Sequence, residues 1–164
     1  MTPTEKRNVF ADDWEDLYPQ VDGWNSNVRR LVPRGNTLGM SVYELLPGQT
    51  QTPYHFHHGN EELLLVLRGQ PSLRTPDGEN ELEPGDVVHF PKGAAGAHQV
   101  VNRTDEPTRY VVADVHVSPE LVEYPDSGKL AAMAMTDSQR GGPIWTMHLL
   151  DNEVDYFDGE QPRR

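Results

Sequence analysis

The chain has 164 residues, which suffices for one domain with terminal arms, and its 26 acidic against 14 basic residues give a net charge of −12. A surface this acidic repels phosphate backbones and anionic lipid headgroups, so we expect neither nucleic acid nor a membrane as a partner. No cysteine is present. Disulfides, thiolate ligands and a cysteine nucleophile are therefore excluded.

Residues 1–27 are acidic, with aromatic residues scattered among turn formers. No sustained helical or strand period runs through them, so we predict an N-terminal arm that lies on the domain or on a partner subunit. They also lack the apolar stretch of a secretory signal, and no run of about 20 apolar residues follows to span a bilayer. These features lead us to expect a cytoplasmic protein.

Residues 28–118 consist of short runs rich in valine, leucine and tyrosine, separated by turn-forming dipeptides. Examples are Leu38–Leu46, Glu62–Arg68 and Tyr110–Val117. Evenly spaced short strands between turns are typical of an antiparallel sandwich or barrel. We therefore predict an all-β domain over 28–118, with no helix of ten or more residues in it.

Residues 119–164 are mixed in character. A turn is indicated at Tyr124-Pro125-Asp126, Leu130–Met135 is small and apolar, and Ile144–Leu150 reads as one more strand. We predict a C-terminal extension that packs on the barrel or on a partner subunit. Its methionines are interpreted as packing residues rather than metal ligands.

A histidine pair and two glutamates stand close together in the sequence. Residues two apart on a strand share a face, so His55 and His57 project together while His58 points the other way. A two-residue hairpin loop at Gly59-Asn60 would pair His57 with Glu62 and place them on one face. A longer loop would bring in Glu61 instead.

A fourth donor must come from another strand, and His98 follows a loop of small residues that could lie close to a filled pocket. Asn102 is expected to end that strand and form the next turn. Three neutral imidazoles and one carboxylate suit a divalent transition metal. An isolated histidine is more often an ordinary polar residue, and we interpret His89, His116 and His148 in this way. His116 shares a face with Asp114 and is the best placed of the three to reach a pocket rim.

Two blocks of the chain resemble the paired motifs of the cupin superfamily, G-x5-H-x-H-x(3,4)-E-x6-G and G-x5-P-x-G-x2-H-x3-N. The first is matched from His55 through Glu62 to Gly69, and the second from Gly85 to Gly93 and from His98 to Asn102. The match favours Glu62 over Glu61. Two departures lie in loops, where insertions cost little: six residues separate Gly48 from His55, and four separate Gly93 from His98.

The resemblance implies a double-stranded β-helix, or jelly-roll, barrel with a metal near its centre. It implies metal ligands at His55, His57, Glu62 and His98, and no catalytic residue is assigned beyond them. The ion could be Fe, Mn, Zn or Ni, which the ligand types do not distinguish. The resemblance also implies a homodimer, formed by packing sheets or exchanging terminal strands.

A divalent ion with these four ligands has a net charge of about +1 and two adjacent open positions in a six-coordinate shell. Such a centre suits a small oxygen-rich or anionic molecule, between apolar walls expected from Leu64, Val66 and Val100. We therefore expect a metal-dependent enzyme, with a dioxygenase ahead of an isomerase or lyase. The alternative is a non-catalytic barrel that binds or senses a small molecule. No general base is evident, because Tyr54 and Gln99 alternate away from the ligands.

Overall fold

The computed structural model describes residues 5–15, 21, 23–33, 37–137 and 143–161, and β-strands make up nearly all of their regular structure. In these ranges the only helices are single 3₁₀ turns at Ala94–Gly96 and Pro125–Ser127, and none is long and apolar enough to cross a membrane. The strands are β1 (Asn27–Arg30), β2 (Leu38–Leu45), β3 (Phe56–His57), β4 (Glu62–Arg68), β5 (Ser72–Thr75), β6 (Gly78–Glu81), β7 (Val87–Phe90), β8 (Gln99–Val101), β9 (Thr108–Val115), β10 (Glu120–Tyr124), β11 (Lys129–Asp137) and β12 (Pro143–Leu149).

The first layer is a five-stranded antiparallel sheet in the order β1-β2-β9-β4-β7. β9 lies at its centre and pairs with β2 on one side and with β4 on the other. Along β4 the burial alternates, with Leu64 and Val66 fully buried and Leu63 half exposed. This alternation turns one face of the sheet inward and fixes which side chains can reach the interior.

The second layer combines two sheets, β6-β5-β8 and β12-β11-β10-β3. They are joined where His55 and His98 exchange backbone hydrogen bonds, with N···O distances of 3.2 and 2.9 Å. The two layers enclose the interior of a jelly-roll barrel. The prediction of an all-β jelly-roll fold is thus confirmed.

The core fills the space between the layers with aliphatic and aromatic side chains, each of which stabilises the fold by about 1.5–3 kcal/mol when fully buried. The predicted walls Leu64, Val66 and Val100 belong to this core rather than to an open pocket. Its buried members are Leu45, Leu64, Val66, Leu73, Leu82, Phe90, Val100, Tyr110 and Val112.

Residues 12–15 of the N-terminal arm lie against the first sheet. Glu15 forms a bridge with Val28 of β1, and the Arg109 guanidinium donates to Asp12 at 2.6 Å. The same guanidinium lies 4.8 Å from the centre of the Trp14 ring. Residues 1–4, 16–20 and 22 of the predicted arm lie outside the described residues.

The predicted limits of the barrel, 28 and 118, stay a prediction. β10 follows residue 118 and pairs with β3, so a strand assigned to the C-terminal extension lies beside the barrel strand that bears His57. β11 and β12 extend the same sheet outward. Residues 138–142 and 162–164 of the predicted extension are outside the described residues.

The predicted hairpin at Gly59-Asn60 is wrong. His57 pairs with Val122 of β10, whereas Glu62 pairs with strands of the first sheet. The chain crosses from one layer to the other between them, and the amide oxygen of Asn60 accepts a hydrogen bond from the Val117 N–H at 2.8 Å. Asn60 therefore stabilises the segment that connects the two layers and does not form a tight turn.

Asn102 holds the end of β8 in place, as expected, and it is fully buried. Its amide nitrogen donates to the carbonyls of Leu45 at 2.9 Å and Glu106 at 2.8 Å, and its oxygen accepts from the Thr104 N–H at 3.0 Å. Replacing Asn102 by alanine leaves several buried groups unpaired, at about 1–3 kcal/mol each.

We expect Asn102→Ala to lower the free energy of unfolding by more than about 2 kcal/mol in urea titrations, and Asn80→Ala, on exposed β6, to change it little. An equal effect of both substitutions would contradict this assignment.

Candidate metal centre

A row of inward-facing residues crosses the first sheet and brings Glu62 into the barrel. Glu62 at the start of β4 is paired with Phe90 on one side and with Asp114 on the other. Asp114 is in turn paired with Gly39 of β2. Directly paired residues share a face of the sheet. The side chains of Phe90, Glu62 and Asp114 therefore point toward the second layer, and Gly39 occupies the fourth position of the row. The Phe90 ring stacks on the His98 imidazole with centroids 3.8 Å apart.

Local backbone carbonyls orient two of the imidazoles. Nδ1 of His55 lies 2.9 Å from the Pro53 carbonyl oxygen, and Nδ1 of His98 lies 2.9 Å from that of Gly96. A carbonyl only accepts, so each Nδ1 carries the hydrogen. Each Nε2 then presents a lone pair, which is the form of histidine that binds a metal.

His55, Glu62 and His98 converge on one point between the layers. One donor atom from each lies within 4.8 Å of the other two. Nε2 of His98 is 3.2 Å from a carboxylate oxygen of Glu62, and the His55 and His98 rings have centroids 4.6 Å apart. The structure thus brings together three of the four predicted ligands as one compact group.

His57, the fourth predicted ligand, borders this group from β3. Its Nε2 lies 3.6 Å from the same Glu62 oxygen, and its ring centroid is 5.2 Å from that of His55. Its Nδ1 faces Glu120 of β10 at 3.4 Å. The shared face of His55 and His57 is therefore as predicted, although β10 and not β4 is the neighbour of His57.

Burial and the close contacts within the group shift the pKa values of His55 and Glu62. Burial, together with the neighbouring imidazoles, lowers the pKa of His55 to about 4. Burial on its own raises the pKa of Glu62, but His98 and the other imidazoles outweigh burial where they donate a hydrogen to it or carry charge, and they lower that pKa to about 2. At neutral pH the centre therefore offers neutral His55 beside an ionised carboxylate.

This donor set fits a divalent transition metal. The Glu62 oxygen that faces the imidazoles is buried and has no hydrogen-bond partner among the described residues. Imidazole lone pairs directed at a buried carboxylate repel it, and an unpartnered buried charge is costly unless a cation offsets it. Nitrogen donors with one carboxylate suit Fe, Mn, Zn or Ni better than Mg or Ca.

Asp114 and His116 were not predicted to belong to the site, although their shared face was visible in the sequence. Nε2 of His116 lies 2.5 Å from an Asp114 carboxylate oxygen. Burial raises the pKa of Asp114, His116 opposes that effect, and the Glu62 charge adds to it. A Cβ at Gly39 would collide with both side chains, so this glycine makes the room that the pair occupies. No local sequence pattern reveals that space.

The remaining histidines lie at the surface with polar neighbours. His58 contacts Glu123 at 3.3 Å, and His89 contacts Glu61 at the same distance. His148 lies 2.7 Å from the Thr146 hydroxyl. The interpretation of His89 and His148 as ordinary polar residues agrees with these contacts. His58 points away from the donor group, as predicted, and Glu61 lies outside that group.

Fold and site together define a jelly-roll protein with an imidazole–carboxylate centre between its sheets. Residues 41–114 match the family model described as a cupin domain. Residues 41–114 therefore carry a cupin domain, as the resemblance implied. The match includes His55, His57, Glu62 and His98 and ends before β10.

Comparisons with individual proteins add two solved structures and one sequence. A sugar phosphate isomerase of the cupin superfamily from Silicibacter pomeroyi is 27% identical, with a TM-score of 0.71 over 94% of this chain and 98% of that one. A protein from Acidithiobacillus ferrooxidans, provisionally described as a sugar phosphate isomerase, is 26% identical, with a TM-score of 0.66 over 79% of this chain and 80% of that one. A germin-like protein (subfamily 1 member 2) of Arabidopsis thaliana is 34% identical over 85 residues, which cover 46% of this chain and only 37% of the plant protein.

Removing one imidazole should abolish metal retention and leave the barrel folded. We expect the purified protein to bind close to one divalent ion per chain, and His55→Ala and His98→Ala to lose it, because each removes a donor from the converged group. His58→Ala, on the opposite face, is the matched control and should bind as the parent does. Elemental analysis with far-UV circular dichroism measures both properties. Equal metal content in all of these proteins would contradict the site.

Proposed function

We propose that this protein is a metal-dependent isomerase acting on a small hydroxy-carbonyl compound of the sugar phosphate class. The observation that carries the proposal is the Asp114–His116 pair, because Asp114 lies opposite Glu62 on the inward row and His116 contacts Asp114 at 2.5 Å. An ion at this centre, of Fe, Mn, Zn or Ni, would polarise a carbonyl or hydroxyl oxygen of the ligand. Two solved structures that share the fold, one described as a sugar phosphate isomerase and the other provisionally so, support the substrate class.

The charge of the centre favours a chelating hydroxy-carbonyl group over a strongly anionic one. The ligands alone suggest a net charge of about +1, but the structure adds the carboxyl groups of Asp114 and Glu120 close to Glu62 and His57. These acids offset the positive charge of a divalent ion. Adjacent carbonyl and hydroxyl oxygens therefore suit this interior, with any phosphate held away from the carboxyl row.

The Asp114–His116 pair is placed to move a proton during isomerisation. Interconversion of an aldose and a ketose removes a proton from one carbon and returns one to its neighbour, with no change in overall composition and no external oxidant. His116 is partly exposed while Asp114 is largely buried beside Glu62, so the pair spans from the centre to the surface. A positioned histidine of this kind contributes about 10²–10⁴-fold to a rate.

The same donors would also serve a dioxygenase, which the ligand set alone placed first. A dioxygenase has no need of a proton-transfer pair on the inward row, and this is why we place the isomerase ahead of it. Binding or sensing without turnover remains the alternative from a different class. It would use the barrel and the donors but not the Asp114–His116 pair.

Replacing His116 should slow proton transfer without emptying the metal site. With hexose and pentose phosphates as probes, we expect His116→Asn to lower kcat by about 100-fold or more, and to reduce solvent deuterium incorporation at the exchanging carbon in proton NMR. Metal content should stay at the parent level, because His116 is outside the donor group.

His89→Asn, at an exposed histidine of β7, is the matched control and should leave kcat unchanged. Turnover and deuterium exchange by His116→Asn at the parent rate would exclude the pair from the chemistry. Oxygen uptake by the Fe(II)-loaded protein with a catechol, without isomerisation of any sugar phosphate, would establish the dioxygenase instead. Ligand binding with neither reaction would establish the sensing alternative.

We also propose a homodimer formed through the β11–β12 hairpin. Glu120, Met133 and Trp145 are paired in one row across the second layer and so share its inward face. Solvent exposure increases along this row, from 3% of the Glu120 surface to 72% of the Trp145 surface. Met135 is 73% exposed. Monomers rarely leave a large contiguous apolar patch uncovered. β12 is also the last strand of its sheet, so a two-fold axis beside it would place the same strand and the same patch on both copies.

Introducing a charge into this patch should separate the copies. Because burying an unpaired carboxylate is costly, we expect Trp145→Glu to convert the dimer to a folded monomer in size-exclusion chromatography with light scattering. Phe157→Glu, at a ring of similar exposure (77%) outside the hairpin, should remain dimeric. A monomeric parent protein, or a dimeric Trp145→Glu, would refute the interface.

A further inference from the structure

We infer that Glu120 is a positioning residue that fixes the imidazole of His57, so that β10, outside the residues matching the cupin domain, completes the centre. The inference rests on the metal-dependent function proposed above, because it concerns the orientation of one expected ligand. It assigns a buried side chain that the motifs do not contain.

Glu120 is almost fully buried, with 3% of its surface exposed. One carboxylate oxygen lies 3.4 Å from Nδ1 of His57 and accepts a hydrogen bond from the Gly59 N–H at 3.2 Å. The other oxygen is buried without a hydrogen-bond partner among the described residues. A carboxylate in such a place destabilises the fold unless a partner compensates for it, and His57 is the polar side chain that it faces.

The backbone around Glu120 is held from several directions, so its carboxylate has little freedom to move. The His58 N–H donates to the Leu121 carbonyl at 2.9 Å, and His57 pairs with Val122. A Cβ at Gly59 would collide with the free oxygen of Glu120, so the absence of a side chain there makes room for the acid. The contact with His57 is thus a consequence of the strand pairing.

The contact determines which nitrogen of His57 faces the centre. Nδ1 of His57 is itself buried with no partner at hydrogen-bond geometry among the described residues, and the Glu120 carboxylate is the acceptor that faces it, at 3.4 Å. A carboxylate only accepts, so in a neutral ring the hydrogen belongs on Nδ1, which leaves the Nε2 lone pair directed toward Glu62 at 3.6 Å. His55 and His98 obtain the same orientation from carbonyls two residues away, at Pro53 and Gly96. His57 obtains it from an acid 63 positions later in the chain. A carboxylate in this position also makes the imidazole a stronger donor.

The test compares Glu120→Ala and Glu120→Gln with Glu123→Ala, using Co²⁺ as the probe. Glu123 is on the same strand, and its carboxylate faces the exposed His58 and not His57, so it is the matched control. Competition with a chelator should show Co²⁺ affinity about 10–100-fold weaker for Glu120→Ala, with a changed visible d–d spectrum. Glu120→Gln retains an oxygen that accepts from Nδ1, so its loss should be clearly smaller. Glu123→Ala should match the parent protein.

A second measurement on metal-free protein separates this inference from the proposed function. Long-range ¹H–¹⁵N NMR, recorded at a pH at which the ring nitrogen shifts show a neutral imidazole, should show the His57 ring with its hydrogen on Nδ1 in the parent and in Glu120→Gln. Glu120→Ala should show a mixture of tautomers. A parent protein that binds no Co²⁺ but shows this tautomer would refute the metal function and keep the positioning contact. An Nε2–H tautomer in the parent, or unchanged affinity and tautomer in Glu120→Ala, would overturn the inference.

Discussion

The pair of backbone hydrogen bonds between His55 and His98 is the constraint on which the rest of the site depends. It joins the two sheets of the second layer at one place, and the same two residues carry the imidazoles that face Glu62. The fold cannot close its second layer without bringing these rings to about the distance at which one ion could contact both. The carbonyls of Pro53 and Gly96 then orient the rings, and they belong to the same two segments. Geometry that a catalytic centre would otherwise have to obtain from flexible side chains is here set by strand pairing.

The charges inside the barrel make this arrangement costly in the absence of a cation. Glu120 is buried, Glu62 and Asp114 are largely so, and burial penalises the ionised form of each carboxyl. Imidazoles that donate a hydrogen or carry charge lower the pKa of Glu62 and so offset its burial. A neutral imidazole that directs its lone pair at a carboxylate oxygen offers that charge no compensation, whereas an ion between them satisfies both groups. The acids on the inward row therefore act together with the ligands in setting the charge that a bound molecule encounters.

Much of the fold was predictable because short strands and their turns leave local signals. β4 has the bounds that the valine- and leucine-rich run predicted, Glu62–Arg68, and Asn102 ends β8 as expected. The two motif blocks, one with His55, His57 and Glu62 and the other with His98, indicated the donor group for the same reason, since the spacing within each block is local. The predicted hairpin gave His57 the wrong neighbouring strand, but it correctly predicted that the His57 and Glu62 side chains face each other. Period-two alternation determines the direction of a side chain, but it does not determine which strand lies alongside.

Glu120 and Gly39 could not be predicted from local patterns, because each acts through a contact between distant strands. A glutamate after a proline and a glycine at the start of an apolar run look ordinary in the sequence. Their function appears only when β10 lies beside β3 and when β2 lies beside β9. Two kinds of constraint thus meet in one centre. Residues of the motif supply the donor atoms, while paired strands before and after it supply the space and the orientation. A chain with the same motifs but a different strand beside β3 would retain the donors and lose the carboxylate that orients His57. The motif by itself therefore specifies the candidate ligands, and the strand pairing specifies the geometry in which they are held.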